Sequence, residues 1–546
     1  MNLKSIVCLI GLLQASFITL RAADPDSPDR SALSPAHTAI KLHPLWRDHA
    51  VVQRDREIPV SGMAAPASEV RILWRGREFR TMTDAEGRWR TQVPSGPASA
   101  APQVLRVECS SETLEVRDLL VGEVWLASGQ SNMQWNLEEC GPGPWAAPEN
   151  LAPDPLLRLL TVPWNPVAMP QTEIRETRWR SYDRETALKS SAVAQFFGRE
   201  LRRQLDIPIG IISSAVGGSP IEAWIPEEIL RPMPQARVCF NQAEEYKARY
   251  PQLSKEDEEK RRTWEAEAAA NKSAGRPPPP PVPWLGPKPE QDWRAPGFCW
   301  NGMINPLPPY AIRGVIWYQG EANVWRANDY PVLLETMVGI WRRAWGADDF
   351  PFLLVQLPGF DNEREGAQGS TWARFREIQD RAAHGLKNGG MVVALDLGEA
   401  ENIHPSRKKE VGERLAWLAA RRVYGKDVRD CGPVFERIQW AGDEAIVHFA
   451  SESANLKTTD GKAPGAFSVA GEDLVFKPAA ARIDGHKVIL STAGMPAPRF
   501  VRYAWANRPA DANLTDSSGL PAAPFRTDTD PKPGAQPGRP ESNHAP

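Results

Sequence analysis

The 546-residue sequence predicts an α/β protein with a mostly parallel sheet at its centre and a β module on either side. Three observations carry that expectation. Four apolar runs each end on a cluster of polar residues, and helical patterns separate them. Short alternating stretches with tight turns replace both features toward the two ends. Strands alternating with helices give a parallel sheet, whereas closely spaced short strands give antiparallel sandwiches.

In chain order, residues 1–22 read as a secretory signal: Lys4, the uncharged run Ser5 to Leu20, then Arg21-Ala22-Ala23. That run contains Gln14 and two serines, too short and too polar for a membrane span, so an exported protein without a spanning helix is expected. From 23 to 118, Val70, Ile72 and Trp74 alternate, and turns fall at Arg75-Gly76-Arg77 and Asp84 to Gly87, which suggests a small β sandwich. The parallel-sheet domain occupies 119–425. Its strands are Val124–Ala127, Ile207–Val216, Gly314–Tyr318 and Gly390–Leu395; its helices are Ala194–Leu205, Tyr330–Trp345, Trp372–Leu386 and Lys408–Val423.

An insertion at about 240–298 combines a charged helix, Ser254 to Lys272, with the proline-rich segment Arg276 to Trp284, and is expected to rim the site. Alternation returns at Ala445–Phe449, Lys487–Leu490 and Val501–Ala506, giving a second β module over 426–526. The tail, 527–546, has a disordered composition. A net charge of −3 without a basic block gives no reason to expect nucleic acid. Five cysteines follow the leader at wide spacing, with no metal-binding Cys-x-x-Cys; a Cys239–Cys299 bridge would close the insertion. Neither metal nor cofactor is expected.

In an open parallel sheet the ligand lies beyond the carboxyl ends of the strands, so the four polar clusters would meet there. Ser131 follows one strand at once, where a helix begins, and its own N–H would face whatever its hydroxyl attacks. The sequence is not the Gly-x-Ser-x-Gly elbow, because Met133 replaces the second glycine. A serine nucleophile needs a base. Of eight histidines, only His384 and His404 lie in the sheet domain's second half; His384 ends a helical run, while His404 stands in a loop after a strand. Glu401, three residues earlier, could orient the ring, with Asn402, Glu399 and Asp396 nearby. Oxyanion donors would be the Ser131 N–H, a glycine of Gly217-Gly218, and the side-chain amide of Gln319 or Asn323.

Four motifs in order resemble the sialate O-acetylesterases of the SGNH-hydrolase superfamily. They are Gly129-Gln-Ser-Asn-Met133, Gly217-Gly-Ser-Pro-Ile-Glu-Ala-Trp224, Trp317-Tyr-Gln-Gly-Glu-Ala-Asn323 and Ile403-His-Pro405. Flanking matches are Val52-Gln-Arg54, Asn301 to Pro306 and Gly519 to Phe525, so the likeness covers nearly the whole mature chain. It implies a flavodoxin-like three-layer α/β/α hydrolase domain, with Ser131 as nucleophile, His404 as base, and Gly218 and Gln319 as oxyanion donors. The family pattern often has aspartate three or two residues before the histidine. Glu401 and Asn402 stand there, so either Glu401 completes a triad or a Ser-His dyad operates.

Tryptophan faces stack on sugar rings, and Trp135, Trp224 and Trp325 follow the motifs. With Glu321 and Asn323 they are the expected substrate contacts. The function implied is removal of O-acetyl groups from glycans, sialates first. Acetyl xylan or another polysaccharide is the alternative substrate, and a non-catalytic glycan-binding protein the alternative class.

Overall fold

A computed structural model describes residues 39–141, 143–308, 310–361, 370–450, 455–495 and 497–528. The expected leader, 1–22, and all but the first two residues of the expected tail lie outside these. The central sheet runs, in spatial order, Arg180–Tyr182, Asp154–Thr161, Ile209–Ala215, Glu112–Gly129, Gly314–Tyr318, Phe352–Val355 and Gly389–Val392. All neighbours are parallel except the Arg180–Tyr182 edge. Gly314–Tyr318 and Phe352–Val355 are buried at every residue, because helices cover both faces.

One helix pair is Ala192–Leu205 with Lys408–Tyr424. A Cβ on Gly412 would stand 2.7 Å from Phe196 Cβ and from the Val193 carbonyl oxygen, so glycine sets how closely these helices approach. The other pair is Tyr330–Trp345 with Thr371–Gly385. Tyr330–Trp345 ends at Gly346, whose left-handed φ of 62° closes the helix.

The amino-terminal module is not separated from the parallel-sheet domain at residue 118. The strand Glu112–Gly129 is 18 residues long; its first half pairs with Ser99–Cys109 and its second half is the middle of the parallel sheet. The Val52-Gln53-Arg54 motif secures the passage between the two halves. Gln53 Nε2 donates to Glu123 Oε2 at 3.0 Å, and Arg54 Nε to Glu123 Oε1 at 2.5 Å. The carboxyl-terminal module has two four-stranded antiparallel sheets around its own apolar core.

The insertion contains a helix longer than its charged stretch indicated, Arg237–Ser273. The proline-rich segment lies back along it: Tyr246 Oη donates to the Pro287 carbonyl at 2.7 Å and Trp264 Nε1 to that of Pro279 at 3.1 Å. The expected Cys239–Cys299 bridge is not formed, and all five described cysteines are free. Cys239 Sγ instead accepts a hydrogen bond from Arg326 Nη1 at 2.9 Å, and Cys299 donates to the Trp293 carbonyl at 3.3 Å. Among the described residues no helix is long and apolar enough to cross a membrane.

Candidate active site

Two adjacent strand ends create the position of Ser131. Gly129 has a φ of 137°, and a Cβ there would lie 2.1 Å from the Tyr318 carbonyl oxygen, so the chain can pass only as glycine. Gln130 then donates its N–H to that same carbonyl at 3.0 Å, and its Oε1 faces the N–H groups of Gly320 and Ala322 at 3.3 and 3.4 Å. Ser131 opens the short helix Ser131–Gln134, and its N–H has no acceptor among the described residues.

His404 is carried by a loop that its own polar residues fold. Asn402 Oδ1 accepts the His404 N–H at 2.9 Å, while Asn402 Nδ2 donates to the His404 carbonyl at 2.9 Å and to Glu399 Oε2 at 2.8 Å. Glu399 Oε1 accepts the N–H and hydroxyl of Ser406 at 2.7 and 2.9 Å. Burial works against the Glu399 anion, but the Ser406 N–H and the Asn402 amide outweigh it and hold the carboxyl below its ordinary range.

This loop places His404 Nε2 2.8 Å from Ser131 Oγ. Trp135 stacks on the imidazole, with ring centroids 4.2 Å apart. Burial, and then the charge of Lys408, brings the imidazole pKa down to about 4, so at neutral pH the ring is uncharged and can accept a proton.

Glu401 does not orient the ring. It is exposed and has no hydrogen bond among the described residues, because the Asn402–Glu399–Ser406 contacts turn the loop so that residue 401 points outward. No described residue partners Nδ1. Gln319 is also not free to stabilise an oxyanion. Its Nε2 donates to Asn323 Oδ1 at 2.7 Å and faces the Ser219 carbonyl at 3.3 Å. Asn323 Oδ1 is itself fixed by the Ile221 N–H at 2.9 Å, and its Nδ2 donates to Glu222 at 3.0 Å. Both amides build the floor under Ser219–Trp224, so Asn323 is not a substrate contact.

Gly217 donates its N–H to Gln134 Oε1 at 2.6 Å, and a Cβ added to it would stand 3.5 Å from Ser131 Cβ. Gly218, with φ of 70°, is exposed and its N–H has no acceptor among the described residues. Donors remaining for an oxyanion are thus the N–H groups of Ser131 and Gly218. Trp224 is fully buried against Trp317 and Trp341 and donates Nε1 to Ser219 Oγ at 2.9 Å, so it is core and not rim. Trp325 is 58% exposed.

Two residues outside the expected set organise the site. Asn132 Nδ2 donates to Glu321 Oε1 and, at 3.0 Å, to the Ile403 carbonyl, joining the serine turn to the histidine loop. Glu321 is thereby committed to Asn132. Lys408, buried at the start of its helix, donates to Asn132 Oδ1 and lies 5.5 Å from the Tyr318 ring centroid. Burial takes its pKa down to about 8, against the pull of Cys140, Glu321 and Glu399. Nothing in the sequence marks a lysine at a helix start as buried, although Asn132 beside the nucleophile was a legible signal. Among the described residues no three or more His, Cys, Asp and Glu side chains gather as a metal site.

The family model described as "Carbohydrate esterase, sialic acid-specific acetylesterase" matches residues 288–421. A sialate O-acetylesterase from Rattus norvegicus is 27% identical over 79% of this chain and 82% of its own length. That of Homo sapiens is 26% identical, over 79% and 80%. The crystal structure of a carbohydrate acetylesterase from Xanthomonas citri is 35% identical with a TM-score of 0.74, covering 90% of this chain and all of that one. With its fold and 35% of its residues shared over that length, the chain belongs to the carbohydrate acetylesterases.

Proposed function

We propose that the protein is an exported serine esterase that removes O-acetyl groups from sialic acids, using Ser131 and His404 as a dyad. The 2.8 Å approach of Ser131 Oγ to His404 Nε2 carries this reading. As Oγ attacks the acetyl carbonyl carbon, Nε2 takes the hydroxyl proton. The oxyanion develops toward the N–H groups of Ser131 and Gly218. The imidazolium, supported by the face of Trp135, then protonates the sugar oxygen, which leaves as the alcohol. Water deprotonated by the same ring attacks acetyl-Ser131 and releases acetate. The names of the rat and human relatives support a sialate substrate. The leader-like residues 1–22 support export.

The test is acetate release by the purified protein from O-acetylated sialic acids and from acetylated xylan, side by side, with Ser131→Ala as control. Serine-dependent release from sialate is the expected result. Release from xylan alone keeps the mechanism and moves the substrate to polysaccharide. No serine-dependent release from either overturns the esterase reading in favour of a glycan-binding protein.

A further inference from the structure

The insertion carries tryptophans that the catalytic steps do not use. Trp284, in the proline-rich segment, is 52% exposed and lies parallel to Trp293, with an interplanar angle of 6° and centroids 5.8 Å apart. Trp164, in the loop after Asp154–Thr161, is 47% exposed and meets Trp293 edge-on at 6.0 Å. The cluster adjoins the catalytic glycines, since a Cβ on Gly218 would stand 3.8 Å from Trp293 Nε1. That N–H is buried and has no acceptor among the described residues, so it is a donor left for a ligand to satisfy.

Two exposed tryptophans packed against the same third indole make an apolar patch of the kind that marks a binding site. Here the fold holds them in place deliberately: the proline-rich segment is stiff, and Tyr246 and Trp264 tie it to the long helix. Arg294, bonded through Nε and Nη2 to Asp292 at 2.7 and 2.9 Å, lies 5.7 Å from the Trp293 ring centroid and anchors it. A rigid apolar face bordered by hydrogen-bonding groups matches a pyranose ring, whose axial C–H face is apolar and whose hydroxyls lie at the edge.

We propose that Trp164, Trp284 and Trp293 form a carbohydrate-stacking subsite that binds a sugar unit next to the acetylated one, so the protein prefers acetylated glycan chains to free acetylated monosaccharides. This rests on the esterase reading above. The insertion is then the part of the chain that reads substrate length, while Ser131 and His404 act on the ester itself.

The test uses the full protein with Trp284→Ala and Trp164→Ala, both at exposed positions. Substrates are 4-nitrophenyl acetate, free O-acetylated N-acetylneuraminic acid, an O-acetylated sialyl trisaccharide and acetylated xylohexaose. Each variant is expected to lose at least tenfold in kcat/KM on whichever oligosaccharide the parent hydrolyses, through KM, and less than twofold on the two small substrates. An equal loss on all substrates, or none on the oligosaccharides, overturns the subsite. Should the parent release no acetate from any glycan, the esterase reading fails separately. Tryptophan fluorescence of Ser131→Ala titrated with the two oligosaccharides then decides the subsite: quenching that Trp284→Ala abolishes supports it, and no quenching overturns it.

Discussion

Replacing Lys408 by methionine removes a positive charge from the neighbourhood of His404 without opening a large void. His404 must be uncharged to accept the Ser131 proton, so kcat/KM falls as pH drops through the imidazole pKa of about 4. The fall from the ordinary 6.5 has two causes, burial first and Lys408 second, so the lysine accounts for less than half of it, at most about 1 pH unit. Without that charge, protonation of the ring becomes easier, its pKa rises, and the acid limb of kcat/KM moves up from about 4 toward 5. The loss of the Asn132 contact should also lower the plateau, because Asn132 then holds the Ile403 carbonyl less firmly. The assay is acetate quantified after quenching, with 4-nitrophenyl acetate as substrate from pH 3.5 to 8, alongside circular dichroism to separate unfolding from titration. An acid limb that stays in place or moves to lower pH would refute the electrostatic account, whatever happens to the plateau.

Two further substitutions separate the expected roles from the observed ones. Glu401→Gln should change kcat/KM by less than twofold, because the side chain is exposed and touches nothing in the site; a hundredfold loss would restore it as the orienter of His404. Gly218→Ala meets no atom closer than 3.8 Å, so its cost is the left-handed backbone alone, about 1–2 kcal/mol in chemical-denaturation stability. Because the same backbone aims an oxyanion donor, kcat should also fall about tenfold, and an unchanged kcat would remove Gly218 from that role.

Much of this site is legible in the sequence. The helical pattern over Tyr330–Trp345 matches the observed helix, which has proline after its first residue and glycine after its last. Ser131 was found from the apolar strand ahead of it, and His404 because few histidines were available. What escaped reading depended on contacts far away in sequence. Phe352–Val355 is four apolar residues, too short to show a period, yet it fills the sheet between two longer-range neighbours. Trp224 follows a motif like a rim residue, but the turn Ile221–Trp224 swings its indole inward onto Ser219. Glu401 had the spacing of an orienter, and the spacing carried no information about Asn402, Glu399 and Ser406 turning that loop the other way.

The strand Glu112–Gly129 extends these contacts to the far end of the molecule. At about 3.3 Å per residue it is a beam roughly 60 Å long, with the nucleophile mounted two residues past one end. Such a beam has no hinge at the module boundary, since a pivot there would have to break ladder hydrogen bonds on both sides and the Gln53–Glu123 clamp. The amino-terminal module is therefore structural framing for Ser131. Its melting and the loss of the esterase should be one event, and trimming the chain at the apparent domain edge would cut the support from under the catalytic serine.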